Sequence, residues 1–381
     1  MFKRFDVKAI TTALEANLRF KNILQRIKGN GSLQCPYDGI TFGFDGSPSS
    51  YFLQIVMPAA YDDHNVVGRR VYRYLLKHPL FIVCWEPLSM FNQAPYTIIK
   101  INPDRNNITP SQLLDLIKFI MGNYFTAAVI MFDEKVDIEN RTPKSVAERL
   151  YVAHKRKLVD YKQKKQTYYF GSRKGMQVKV YDKSKLLKLK NKKLTRIEKT
   201  VKYIRNKRPV VTEFLLKPRT DMFENVVFID TDKLDGRTKI MRLIKQEGIF
   251  MAAYKKLLPA DRKALRRHQA FTNPYIDLGK LASDDLEHWL RSSPNLPIKI
   301  FIDSYRPHFL QHFITNSQIS FNNYYDDKPV VYTGTRQWGR QVVAGLMKKL
   351  ITASNYQSLS MKLFGVDSDL VSTFEIKALT E

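Results

Sequence analysis

Thr167-Tyr-Tyr-Phe-Gly-Ser-Arg-Lys-Gly-Met-Gln-Val-Lys-Val-Tyr-Asp-Lys183 reads as two short strands around a tight turn. The turn is Ser172-Arg173-Lys174-Gly175, with Gly175 supplying the permissive backbone. The second strand alternates: Met176, Val178 and Val180 face one way, and Gln177, Lys179 and Tyr181 the other. A tyrosine thus projects from a cationic face, with Asp182 and Lys183 behind it. A phenol is a poor nucleophile at neutral pH because its pKa lies near 10. Neighbouring cations favour the phenolate and hold a phosphate, which is what a tyrosine needs to attack a phosphodiester. On this reading Lys179 and Lys183 lower the phenol's pKa or grip the scissile phosphate, and Arg173 and Lys174 in the turn clamp a DNA backbone.

Charge supports a polyanionic partner. The chain has 381 residues and a formal net charge of +27. Residues 154–208 hold 21 Lys and Arg against Asp160, Asp182 and Glu198, a net of +18. Solubility does not require such clustering, whereas a nucleic acid is drawn by it in a salt-dependent way. At 44% hydrophobic and 12% aromatic the sequence is globular. A membrane partner is not expected: the most apolar run, Leu113 to Phe132, contains Asp115, Lys118 and Asn123. Met1-Phe-Lys-Arg lacks the apolar core of a signal peptide, and Cys35 and Cys84 stand far apart with no metal-ligand spacing. A reducing, cytoplasmic location follows as the expectation.

Along the chain, residues 6–28 read as an amphipathic helix ended by Gly29-Asn-Gly31. Strands are predicted over Gly39–Phe44, Tyr51–Val56, Leu80–Trp85, Tyr96–Ile101 and Ala127–Ile138, and a helix over Asp62–Leu76. Thr109-Pro110 opens a helix that runs to Met121 and stops at Gly122. Residues 144–164 read as a basic helix, Leu194–Tyr203 and Val210–Phe214 as strands. Beyond about 220 the pattern turns helical, over 236–257, 259–270, 283–291 and 335–352, with strands intervening at 298–303 and 329–333. The fold class is therefore α+β, an antiparallel sheet with flanking helices followed by a more helical C-terminal part, with domains at 1–220 and 221–381.

Tyr169-Phe-Gly-Ser-Arg-Lys-Gly, Val180-Tyr-Asp-Lys and Thr195-Arg-Ile-Glu198 together resemble the replication initiation factor family, the rolling-circle initiators of plasmids and phages and related relaxases. The family pattern is a Y-x-G-S-R hairpin, a strand ending I-Y-[ND]-K and a later R-x-E strand. The resemblance covers residues 125–215. It departs from the family at Thr195, where an aromatic residue is common. It implies DNA nicking and closing by Tyr181, which stays attached to the 5′ phosphate while the free 3′-hydroxyl primes synthesis. Residues 1–220 would be the nicking domain and 221–381 would recognise an origin, with Arg262–Arg267 and Arg336–Lys349 as candidate groove contacts. It further implies DNA with single-stranded or hairpin character at the nick, a host helicase and a second copy of the chain as partners, in a bacterial host cell.

Phosphodiester chemistry of this type commonly employs a divalent ion. No two of the seven histidines are two apart; His308 and His312, four apart, lie far from the tyrosine. Carboxylates suit Mg2+ or Mn2+ better. In Val129–Glu139 the alternation puts Asp133, Lys135, Asp137 and Glu139 on one face, with Glu134 on the apolar side. The resemblance carries the metal-ligand role to Asp137 and Glu198, with Asp133 as third. Arg196 shares a face with Glu198 and either binds phosphate or orients that carboxylate. Tyr168 and Tyr169 are the alternative nucleophiles. The competing reading is a non-catalytic origin-binding replication protein; an RNA-binding protein would carry the same charge, and Tyr168-Tyr-Phe170 is its one hint.

Overall fold

The computed structural model describes residues 2–62, 71–88, 94–154, 157–158, 161–164, 166–172, 176–187, 193–217, 219–234, 237–297, 299–300 and 303. Arg173, Lys174, Gly175, the histidines at 308 and 312, the region 329–352 and part of the helix expected over 62–76 lie outside them. The chain divides into two compact units, Met1–Ser293 and Pro294–Glu381.

The first unit is built on strands β1 (Lys3–Phe5), β2 (Tyr37–Phe44), β3 (Ala60–Asp62), β4 (Tyr72–Lys77), β5 (Phe81–Pro87), β6 (Thr97–Ile101), β7 (Ala128–Glu139), β8 (Leu150–His154), β9 (Lys157–Leu158), β10 (Tyr161–Lys164), β11 (Thr167–Gly171), β12 (Gln177–Asp182), β13 (Leu194–Lys202) and β14 (Val226–Phe228). Among the described residues eleven of them form one sheet in the order β10-β11-β12-β13-β7-β2-β6-β5-β4-β1-β3. Every pair but β1 with β4 is antiparallel. A second, small sheet has the order β14-β8-β9. The architecture is α+β, a large, mostly antiparallel sheet with flanking helices.

One sheet face is apolar. Ile40 pairs with Ile101 and Phe132, and Phe42 with Ile99, all fully buried. Helices Leu18–Lys28, Ser50–Val56 and Pro110–Met121 contribute Phe20, Phe52 and Phe119 to an aromatic core with Phe81, with ring centroids 5.3 to 6.3 Å apart. Burying one such ring stabilises the fold by about 1.5–3 kcal/mol. The helix over 110–121 is fixed at its start by a capping box, Thr109 with Gln112, and Pro110 in its first turn. Its left-handed stop is Gly122, at φ 83°.

Several elements differ from the sequence expectation. Residues 6–28 are two helices, because the Asn17 side chain accepts from Phe20 N (3.2 Å) and begins a second one. Tyr51–Val56 is a helix, capped by Ser49 Oγ on Phe52 N. In the stretch read as a helix over 62–76, Asp62 ends strand β3 and residues 72–76 lie in strand β4. Among the described residues of 144–164, helix is confined to Pro143–Ala147 and strands β8, β9 and β10 follow. Val210–Phe214 is a helix, Val211–Leu216. Lys299, Ile300 and Asp303 of the second unit are helical within the stretch read as a strand, with Lys299 Nζ 3.3 Å from Asp303.

Helix Leu278–Arg291 belongs to the first unit and is pinned there. Trp289 is fully buried, donates from Nε1 to Ile108 O (2.8 Å) and meets the Tyr37 ring edge-on at 5.5 Å. β14 pairs with β8 through Val226, Val227 and Phe228. The boundary expected at 220/221 therefore falls inside this compact unit, which runs to Ser293. No helix among the described residues is long and apolar enough to cross a membrane.

Candidate active site

The second face of the sheet is polar at its centre, and the register there sets three rungs. Tyr181, Arg196 and Asp137 lie side by side across β12, β13 and β7. Lys179, Glu198 and Lys135 form the next rung, and Gln177, Thr200 and Asp133 the third. Period-2 alternation holds along all three strands, so these nine side chains share one face. The hairpin that carries Tyr181 turns after Gly171, whose φ is 83°; a Cβ there would lie 2.3 Å from Met176 O. That position admits only glycine at low cost. Tyr168, an alternative nucleophile, is buried among apolar residues, paired with Val180; Tyr169 is half-buried beside Lys179.

Tyr181 Oη donates to Glu198 Oε1. The other Glu198 oxygen takes Lys179 Nζ at 2.8 Å, with the Lys179 side chain 28% exposed. Cations were expected to favour the phenolate. Instead burial, followed by the charge and hydrogen bond of Glu198, pushes the Tyr181 phenol well above its ordinary value. As folded, Tyr181 is a neutral phenol presented to a carboxylate base.

Arg196 occupies the middle of an acidic ring. Its Nε and Nη2 donate to Asp137 Oδ1 and Oδ2 at 2.6 and 2.5 Å; its Nη1 donates to Asp38 Oδ1 at 2.5 Å and Asp104 Oδ2 at 2.8 Å. Its side chain is 2% exposed. Neither role read from sequence describes this placement: Arg196 is out of reach of a solvent phosphate, and it orients three aspartates, while Tyr181 and Lys179 hold Glu198. Lys135 Nζ lies 3.1 Å from Asp104, 3.4 Å from Asp137 and 3.9 Å from Asp285. Lys183, expected at the phosphate, begins the short helix Lys183–Leu187; its buried ammonium lies 3.7 Å from Asp38 and 3.9 Å from Asp104. Burial alone would raise the Asp137 carboxyl, but the Arg196 bond and charge outweigh it and hold it low. Asp38 goes the other way, raised by burial and by nearby Glu198.

Asp38, Asp104 and Asp285 were not singled out from sequence. They arrive from three unrelated elements: β2, the first turn of helix Pro103–Asn106 opened by Asn102, and helix Leu278–Arg291. Only the Asn-Pro-Asp start signal at 102–104 was legible, and it marks a helix, not a site. Asp133 stands apart, accepting from Thr200 Oγ1 (2.5 Å). Glu134 points to the opposite face, fully buried between Lys199 (3.2 Å) and Phe223 N (2.9 Å).

The donor set does not fit a divalent ion as folded. Asp137 is taken by Arg196 and Lys135, Glu198 by Tyr181 and Lys179, and Asp133 by Thr200. Among the described residues no three His, Cys, Asp or Glu side chains are grouped to hold a metal. The three carboxylates that do converge, Asp38, Asp104 and Asp137, already share the Arg196 cation.

No family model matches the chain, and no curated protein matches it. Among solved structures it is similar to the rolling circle replication initiator protein from Geobacillus stearothermophilus. That likeness has 13% sequence identity and a TM-score of 0.31, and covers 51% of this chain and 85% of the other. A likeness of this size leaves the function to be argued from the residues.

Proposed function

We propose that the protein is a rolling-circle replication initiator that nicks and rejoins DNA through Tyr181. The observation that carries this reading is the Tyr181–Glu198 hydrogen bond on a charged sheet face, with Lys179 on the second carboxylate oxygen. A base already bonded to the phenol removes the need for a free phenolate. In the proposed step the phenol proton passes to Glu198, the tyrosine oxygen bonds to phosphorus, and the P–O3′ bond breaks. The 3′-oxygen leaves and takes a proton from solvent. Reversal with a new 3′-hydroxyl restores the phosphodiester and frees Tyr181. Lys179 is the cation placed to meet the phosphate, being the least buried of those in the three rungs and next to the phenol. Arg196, Lys135 and Lys183 act by holding the aspartates and so fixing β7 and β13 under the phenol. No step is assigned to a metal ion, because the chain's own cations occupy the carboxylates.

The substrate is a strand that can reach a half-buried phenol on a sheet face, which favours single-stranded or extruded DNA. Exposed Lys100, Lys162 and Lys164 extend the cationic surface to either side. A second reading, binding without cleavage, is favoured by the half-burial of Tyr181 and its bond to Glu198, both of which push the phenol above its ordinary value. The two readings part when the protein is incubated with supercoiled and single-stranded DNA of its own replicon, with Mg2+, Mn2+ or EDTA, and resolved on denaturing gels. A nick and a protein–DNA adduct, both absent in Tyr181→Phe, support the first reading. Retained binding with no nick on any substrate supports the second.

A further inference from the structure

A second cationic pocket lies beyond the end of β13. It is a cavity of about 400 Å³ whose polar walls are Tyr203, Asn206, Lys207, Arg208, Lys217 and Arg219, with Glu213 the one carboxylate among them. Tyr203 is five residues past Glu198, about 16 Å along an extended strand at ~3.3 Å per residue. The Phe132 ring, on the face opposite Asp133, backs this wall: Tyr203 sits against it at 5.8 Å, and the Arg219 guanidinium lies over it at 5.3 Å. The pocket is therefore separate from the Tyr181–Glu198 centre.

Its charges are unevenly matched. Arg219 is met by Asp221 at 2.7 Å and by Glu134 at 3.7 Å, and Lys217 by Glu213 at 3.2 Å. Lys207 and Arg208 have no acidic partner among the described residues, and the buried Arg208 Nε has no hydrogen-bond acceptor. Buried guanidinium donors are ordinarily satisfied, and one without an acceptor points to a ligand that supplies it. The walls are held in place by backbone bonds to the start of β7 and the residue before it: Val129 N donates to Pro209 O (2.9 Å), and Val211 N to Ala127 O (2.7 Å). A guanidinium fork, an ammonium, an amide and a tyrosine ring in one cavity match a phosphate with an attached base.

We propose that this pocket binds the phosphate of a nucleotide, either free or within a single DNA strand, through Lys207 and Arg208. The site does not depend on Tyr181 being a nucleophile. The test compares wild type with the Lys207→Gln/Arg208→Gln double variant, after matched circular dichroism and melting curves confirm the fold. Two probes are used: thymidine 5′-monophosphate by calorimetry, and a short fluorescein-labelled oligothymidylate by anisotropy across a salt series. If the monophosphate binds wild type and loses about tenfold or more in the variant, the source is the free nucleotide. If only the oligonucleotide responds, the slope of log K against log salt falls by about 1.4, two phosphate contacts at roughly 0.7 each, and the source is the strand. A variant that binds both probes as wild type does, with an unchanged slope, overturns the proposal. Tyr181→Phe serves as the control: it leaves either response intact, so loss of nicking and loss of this pocket are read separately.

Discussion

Arg196 and Asp137 face each other across β13 and β7 and are joined through two nitrogens and two oxygens, at 2.6 and 2.5 Å. The same guanidinium also binds Asp38 and Asp104, so one buried cation keeps three carboxylates together. Removing it leaves like charges facing one another in a poorly solvated place. Arg196→Met is expected to cost about 3–5 kcal/mol, the usual penalty for stripping one partner from a buried ionic cluster. Arg196→Lys keeps the charge but loses the fork and falls between. Urea unfolding at neutral pH measures both.

The pH dependence of that pair has a definite sign. The Asp137 carboxyl is held below its ordinary value of 3.8 in the folded state. Its stabilising contribution is complete above that value and is lost as pH falls through the lower, folded one. An Asp137→Asn variant should therefore be less stable than wild type at neutral pH, with the gap narrowing only below about pH 4. Unfolding curves at neutral and acid pH decide this.

The Arg196 cluster also predicts the response to divalent ions. Wild type is expected to show little stabilisation by Mn2+, since the carboxylates are occupied. In Arg196→Met the three aspartates are released, and Mn2+ should raise the melting temperature more than it does in wild type. Equal shifts in the two proteins would show that the cation does not exclude the ion.

Tyr181 offers a spectroscopic prediction. Its phenol is pushed above the ordinary value of 10.0, first by burial and then by Glu198. The stability it contributes is fully present below pH 10 and is lost as pH rises toward the folded value. Tyrosinate absorbance of folded wild type and Tyr181→Phe should accordingly coincide through pH 11, because Tyr181 does not ionise in that range. A wild-type excess of one tyrosinate near pH 10 would contradict the burial argument.

Trp289 ties residues beyond 220 to the sheet unit. Its ring is fully buried and its indole nitrogen donates to Ile108 O. Trp289→Ala should destabilise the unit by about 3–5 kcal/mol. A single unfolding transition, shifted as a whole, is expected; two transitions, with only one shifted, would mean that helix Leu278–Arg291 unfolds independently.

The parts legible in the sequence are those in which one strand carries its own pattern. The alternation over 176–181 and over Ile130–Glu139 placed Tyr181, Lys179, Asp133 and Asp137 on a common type of face before any pairing was known. Misreadings fall where local composition and tertiary context disagree. Tyr51–Val56 is rich in strand formers, yet Ser49 caps it as a helix. The charges of 144–164 suggest a helix, yet its described residues are mostly short strands, β10 at the edge of the large sheet and β8 and β9 in the small one. The ring around Arg196 was not legible, because Asp38, Asp104 and Asp285 become neighbours only through strand order and helix docking. Thr195, the departure from the pattern the sequence resembles, is buried, and its hydroxyl donates to Arg141 O at 2.7 Å, a bond that Phe or Trp could not make.

Glu198 is the residue that separates base catalysis from simple placement of the tyrosine. The decisive measurement is mass spectrometry of the covalent product after incubation with single-stranded replicon DNA, for wild type, Tyr181→Phe and Glu198→Gln. The account predicts a nucleotide adduct on the peptide containing Tyr181 in wild type, none in Tyr181→Phe, and adduct formation slowed about 10²-fold or more in Glu198→Gln. An adduct on another tyrosine, or one that forms at the wild-type rate without the Glu198 carboxylate, would contradict it.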